Sequence, residues 1–145
     1  VARLLAAVLL CGIAAGGARA GEPVLPQAVG SDTACLMCHA PDEHSPLRAV
    51  YAGPHGAASD PRTPRTQGGC ESCHGPSAGH LVVGADGVRP PPPVTFARGE
   101  AAAVQSAACL ACHEDTGTLH WPGSRHGESE VSCTACHRGH VARDT

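Results

Sequence analysis

One five-residue pattern, Cys-x-x-Cys-His, occurs four times in this 145-residue chain, as Cys35-Leu36-Met37-Cys38-His39, Cys70-Glu71-Ser72-Cys73-His74, Cys109-Leu110-Ala111-Cys112-His113 and Cys133-Thr134-Ala135-Cys136-His137. The four copies use eight of the nine cysteines and leave only Cys11, in an apolar N-terminal stretch. This is the attachment signature of haem c. Two cysteines three apart on a helical turn reach the two vinyl groups of one porphyrin, and the next residue, His, then presents its imidazole to the iron. A zinc ribbon wants Cys-x-x-Cys pairs about 15–20 residues apart and gives no reason for a His after every pair. A disulfide scaffold leaves the histidines equally unexplained. Four covalent haems c are therefore expected on Cys35, Cys38, Cys70, Cys73, Cys109, Cys112, Cys133 and Cys136, with His39, His74, His113 and His137 as proximal ligands.

Such staples are what the remaining composition needs. One Phe, one Tyr and one Trp stand among 18 Gly and 13 Pro, so a protein-only core of ordinary density is hard to build, and short chains of this kind rely on metals, disulfides or cofactors. No run keeps a helical or strand period. The expected fold is mostly irregular with short α-helices, a multihaem cytochrome c with a haem-filled core. Helices are expected at Thr33 to His39, Ala101 to His113 and Ser132 to His137.

Residues 1–20 read as a secretory signal, with Arg3, an apolar stretch from Leu4 to Ala15 too short to span a bilayer, and Ala18-Arg19-Ala20 as a cleavage site. Leu10 before Cys11 is unlike the small residue a lipoprotein site wants. The mature chain is expected to be residues 21–145, one tetrahaem domain without a membrane span, in the periplasm or outside the cell. Eight Arg remain there against 13 Asp and Glu, a formal 8 − 13 = −5, and Lys is absent. A nucleic-acid partner is excluded by the lack of a basic patch, and a protein partner is expected to dock through a basic surface.

Six histidines lie outside the motifs: His44, His55, His80, His120, His126 and His140. The single Met, Met37, sits between the cysteines of its own motif, which leaves histidine as the sixth ligand. Each half of the chain reads motif, His-Gly, motif, His, with His55-Gly56 and His80 in one half and His126-Gly127 and His140 in the other. This suggests two dihaem halves at about 33–80 and 101–141, joined by a Pro-rich linker, 81–100, that cannot be helical through Pro90 to Pro93. His44 and His120 have no counterpart and are read as non-ligands. His140 follows His137 by three residues, a reach of at most about 11 Å, too short to round a porphyrin rim. It is expected to serve another haem or none.

Gly69-Cys70-Glu71-Ser72-Cys73-His74-Gly75-Pro76 with His80, the preceding Arg62-Thr63-Pro64, Trp121-x-x-Ser124-x-His126 and the closing Cys136-His137-x-x-His140-Val141 resemble the MtrA/DmsE-type periplasmic decahaem cytochromes. The similarity runs from about Thr33 to the last residue. It implies that His55, His80, His126 and His140 are the distal ligands. It also implies redox partners among other cytochromes, or an outer-membrane porin–cytochrome complex. That family repeats a five-haem module, and this chain ends where a fifth motif is expected, as a shortened tetrahaem carrier or as a fragment of a larger conduit. The function expected is electron transfer in a respiratory, including anaerobic, or extracellular chain. A multihaem reductase would need an iron with an open site, which the surplus of histidines argues against, and no enzymatic activity is expected.

Overall fold

The computed structural model describes residues 32–114 and 120–143. The expected signal segment lies outside them. Among the described residues five α-helices and several 3-10 segments, the longest Pro46–Ala52, are joined by irregular chain, and no strand occurs: α1 (Asp32–His39), α2 (Pro64–Gln67), α3 (Glu71–His74), α4 (Ala102–His113) and α5 (Arg125–Glu128).

The sequence accounts for where these helices start. The Ala-rich run from Ala101 has the highest helix propensity available and forms the longest, α4, of 12 residues. α2 starts with Pro64 at its first position, where the missing N–H is harmless. α5 is capped by Ser124, whose hydroxyl accepts from the Gly127 N–H at 3.1 Å. α1 and α4 lie within one residue of the expected spans. The third expected helix does not form: Cys133–Ala135 is a 3-10 turn. The Ser132 and Thr134 hydroxyls meet at 2.9 Å and Thr134 reaches out to Gln105, so side chains that compete with helical bonding hold the segment open.

The linker is extended and irregular, as its prolines require, with one turn closed by Gly84 N–H to Val88 O at 2.7 Å and another by Glu100 N–H to Ala97 O at 3.1 Å. No helix among the described residues is long and apolar enough to cross a membrane. Burial is unusual in kind. Ala40 is the one buried apolar side chain among the described residues, while Thr63, Ser77, Gln105 and Ser106 are buried polar ones. Polar interlocks, rather than an oily protein core, therefore join the motif-bearing segments.

Candidate functional site

Each motif cysteine pair lies on or beside a helix or 3-10 turn. In three of the four motifs the first cysteine is partly buried and the second exposed; in the motif carried by α3 both are partly buried. The motifs adjoin in chain order. Burial raises the pKa of the Cys70 thiol, and Asp32 and Cys35 beside it raise it further. Burial does the same to Cys73, with Cys112 adding to it. Cys109 is pushed up to about 11, first by burial, then by neighbouring Cys133 and Cys73. The four attachment points thus form one continuous series, the first beside the second, the second beside the third and the third beside the fourth.

Asp32 locks the first motif to the second. Its carboxylate accepts from the Tyr51 hydroxyl at 2.7 Å and from the Cys70 backbone N–H at 2.7 Å. The Arg65 guanidinium lies 5.1 Å over the Tyr51 ring. Burial works to raise the Asp32 pKa, but these hydrogen bonds outweigh it and the net shift is downward, while burial and Asp32 push Tyr51 up. Gly69, at φ +57°, has to be glycine here, since a Cβ would strike the Asp32 carboxylate. Gln105 does the equivalent at the other end of the molecule. It is 7% exposed, its amide donates to Glu100 O at 3.0 Å and Ala97 O at 3.4 Å, and its carbonyl oxygen accepts from Thr134 of the fourth motif.

The histidine rings meet in pairs. His39 faces His80 with ring centroids 5.9 Å apart and planes 24° from parallel. His55 faces His113 at 6.0 Å and 71°. His74 faces His140 at 6.1 Å and 26°. Each pair joins one motif histidine to one histidine outside the motifs. Two imidazoles bound through one nitrogen each to opposite sides of a metal, at about 2 Å per bond, hold their centroids about 6 Å apart. The donor set and its spacing thus fit three six-coordinate irons. His140 lies against His74, on a different motif from His137.

Two of these rings are also fixed from behind. His74 Nδ1 lies 2.8 Å from Val94 O, and His80 Nδ1 lies 2.7 Å from Pro90 O. A carbonyl oxygen only accepts, so Nδ1 carries the proton in both, and Nε2 keeps its lone pair for a metal. Phe96 sets its ring edge-on to His74 at 5.2 Å and 84°. Partial burial, and after it the charge of His74, lower the pKa of His140, which favours the neutral ring. The other site histidines fall as follows. His126 lies at 5.8 Å from the Trp121 ring, tilted 46°. His137 donates its backbone N–H to Cys133 O at 2.9 Å. His44 and His120 are both exposed.

Asp32, Tyr51, Glu100, Gln105 and the carbonyls of Pro90 and Val94 were not singled out from the sequence. The lone Tyr and the acid three residues before the first motif were the available signals for the Asp32 lock. Backbone carbonyls carry no sequence signal at all.

No family model matches the chain. It is 36% identical over 117 residues to the multiheme cytochrome MtrA of Shewanella baltica (strain OS185), an alignment covering 79% of this chain and 33% of that protein. The chain thus spans about a third of the length of the relative it matches. Four Cys-x-x-Cys-His motifs in contiguous series, histidine pairs spaced for one iron each, a helical and irregular fold, and this identity lead to one conclusion: the chain is a multihaem c-type cytochrome that resembles a module of MtrA.

Proposed function

We propose that this chain is a tetrahaem electron carrier of the periplasm or cell exterior, with every iron closed by two histidines. The observation that carries the reading is the pairing of His39 with His80, His55 with His113 and His74 with His140, each at 5.9–6.1 Å. By this reading His80 is the distal ligand of the first motif, His140 of the second and His55 of the third. His126 completes the set at the fourth motif through its place in the repeat and in the family pattern. Haem c, when bound, supplies a one-electron Fe(III)/Fe(II) couple. The chain contributes the rest. Its eight cysteines fix the groups in series, its paired imidazoles leave no coordination position for a substrate, and two linker carbonyls hold His74 and His80 in the metal-binding tautomer.

Two of the three pairs, His55 with His113 and His74 with His140, tie the proposed halves 33–80 and 101–141 together. A ligand from one half closing an iron held by the other keeps the irons in one compact series, the arrangement that electron hopping needs. The partners would be other cytochromes or a porin–cytochrome complex. A second reading, that the chain acts as one module of a longer conduit, is favoured by its match to a third of MtrA. Both readings share one test. Intact mass should show four haem additions, and the spectrum should be low-spin in both redox states with little response to carbon monoxide. A mass without haem, or stoichiometric binding of carbon monoxide or nitrite, would overturn the carrier reading, the latter in favour of a reductase. Binding to purified outer-membrane partners, with and without a tethered second module, separates the carrier from the conduit module.

A further inference from the structure

The segment between the halves does more than span them. Val94 and His74 bond twice: the Val94 N–H donates to His74 O at 3.0 Å, and the His74 Nδ1–H donates to Val94 O at 2.8 Å. Two residues on, the chain turns through Phe96 at φ +54°. That is the left-handed region, sparsely used by bulky residues, and it persists only where surrounding bonds hold it. The Ala97 N–H donates to Thr95 Oγ1 at 3.2 Å across the turn, and two further bonds come from one side chain. The Glu100 carboxylate accepts from the Thr95 N–H at 3.1 Å and from the Phe96 N–H at 2.7 Å. The same turn delivers the Phe96 ring edge-on to His74. Gln105 of α4 anchors its far end through Ala97 O and Glu100 O.

We infer that Glu100 is a positioning residue for His74: its carboxylate latches the Val94–Glu100 turn, and the turn holds the imidazole's Nδ1–H on the Val94 carbonyl and its face against Phe96. The inference rests on the proposed role of His74 as an iron ligand. A histidine whose Nδ1–H is given to a carbonyl is the more basic ligand, and a more basic ligand favours Fe(III). Release of the latch therefore weakens that bond and raises the potential at the second motif. The carboxylate's hydrogen bonds go to backbone N–H groups of the turn and not to the ring, while its charge also falls on His74, and the Gln variant separates the two.

The test compares Glu100→Ala, Glu100→Gln and Glu100→Asp with wild type as fully loaded protein, by low-temperature electron paramagnetic resonance and potentiometric titration. Glu100→Ala should keep every haem by mass and stay low-spin. One signal should change its largest g-value, and one couple should shift upward by a threefold to tenfold change in oxidised-to-reduced ratio, where tenfold is about 59 mV for one electron. Glu100→Gln keeps an acceptor oxygen without the charge and should lie nearer wild type. Equal shifts in Ala and Gln would mean that only the surface charge matters and would overturn the inference. So would an unchanged signal and potential in loaded Glu100→Ala. If the Ala variant is not recovered with haem, Glu100→Asp supplies a graded lesion: an upward shift of one couple supports the latch, and a wild-type titration refutes it. Wild type lacking haem or methionine-like in spectrum would instead refute the ligand reading beneath it.

Discussion

The two His-Gly turns show what local sequence settles and what it leaves to the rest of the chain. His55-Gly56 follows Tyr51, and His126-Gly127 follows Trp121. In both, the glycine lies against the backbone at that aromatic: a Cβ on Gly56 would run into Tyr51 Cα and Val50 O, and one on Gly127 into Trp121 O. The same device thus turns the chain twice and projects a histidine each time. Their neighbours differ. The His55 ring meets His113 across the molecule, whereas the His126 ring lies beside its own Trp121. Closeness of an aromatic backbone builds the turn; the element that packs opposite decides what the histidine faces.

The sharpest way to break this comparison is to remove each histidine. His55→Ala should leave the third-motif iron five-coordinate, visible as a high-spin band and new carbon monoxide binding at one haem per chain. His126→Ala should do the same at the fourth motif if the repeat governs both turns. An unaltered spectrum in His126→Ala alone would show that the resemblance of the two turns stops at the backbone. His44→Ala and His120→Ala, at histidines without a counterpart in the other half of the chain, should change nothing.

The glycines give a smaller effect and test the backbone itself. Gly56→Ala forces a methyl into three backbone atoms of Val50 and Tyr51, none of which can swing aside. It should cost about 2 kcal/mol or more of stability. Gly127→Ala meets one carbonyl closely and should cost about 1 kcal/mol. Denaturant midpoints of the two holoproteins check the order. If Gly127→Ala proved the worse, the tighter approach would belong to the back half.

Much of this was readable beforehand because covalent chemistry has a rigid spacing. The four motifs, the long Ala-rich helix and the extended linker follow from residue types in fixed order. The pairing of His55 with His113 is different. It joins residues 58 positions apart and depends on how turns stack, a matter on which short-range pattern is silent. The Ser132–His137 segment shows the opposite failure: its motif suggested a helix, but the hydroxyls of Ser132 and Thr134 bond to each other and that of Thr134 bonds to Gln105. Nor did the linker's prolines reveal that the carbonyls of Pro90 and Val94 serve two histidines, since every residue has a carbonyl.

The front and back locks differ in charge, and that difference shows in how two modest effects respond to pH. Gln105 is neutral and buried, so Gln105→Ala removes its bonds to Thr134, Ala97 O and Glu100 O and should cost about 1 kcal/mol equally across the pH range. Asp32 is ionised, and its partners bond to the ionised form. Its pKa in the folded protein lies below its ordinary 3.8, so the folded state binds fewer protons than the unfolded one and stability rises with pH through this interval. The contribution is complete above the unfolded value of about 3.9 and is lost as pH falls through the lower folded value. Asp32→Asn keeps an acceptor for the Cys70 N–H and cannot ionise. At pH 7 it should be less stable than wild type by about 1 kcal/mol, a figure already reduced for solvent screening at a half-exposed site. As pH falls from the ordinary carboxylate range through the lowered folded value that gap should close, while the gap between wild type and Gln105→Ala stays constant. Urea midpoints taken across this range read both gaps in one experiment. A constant gap for Asp32→Asn would mean that the front lock works through shape, like the back one, and that its charge adds nothing.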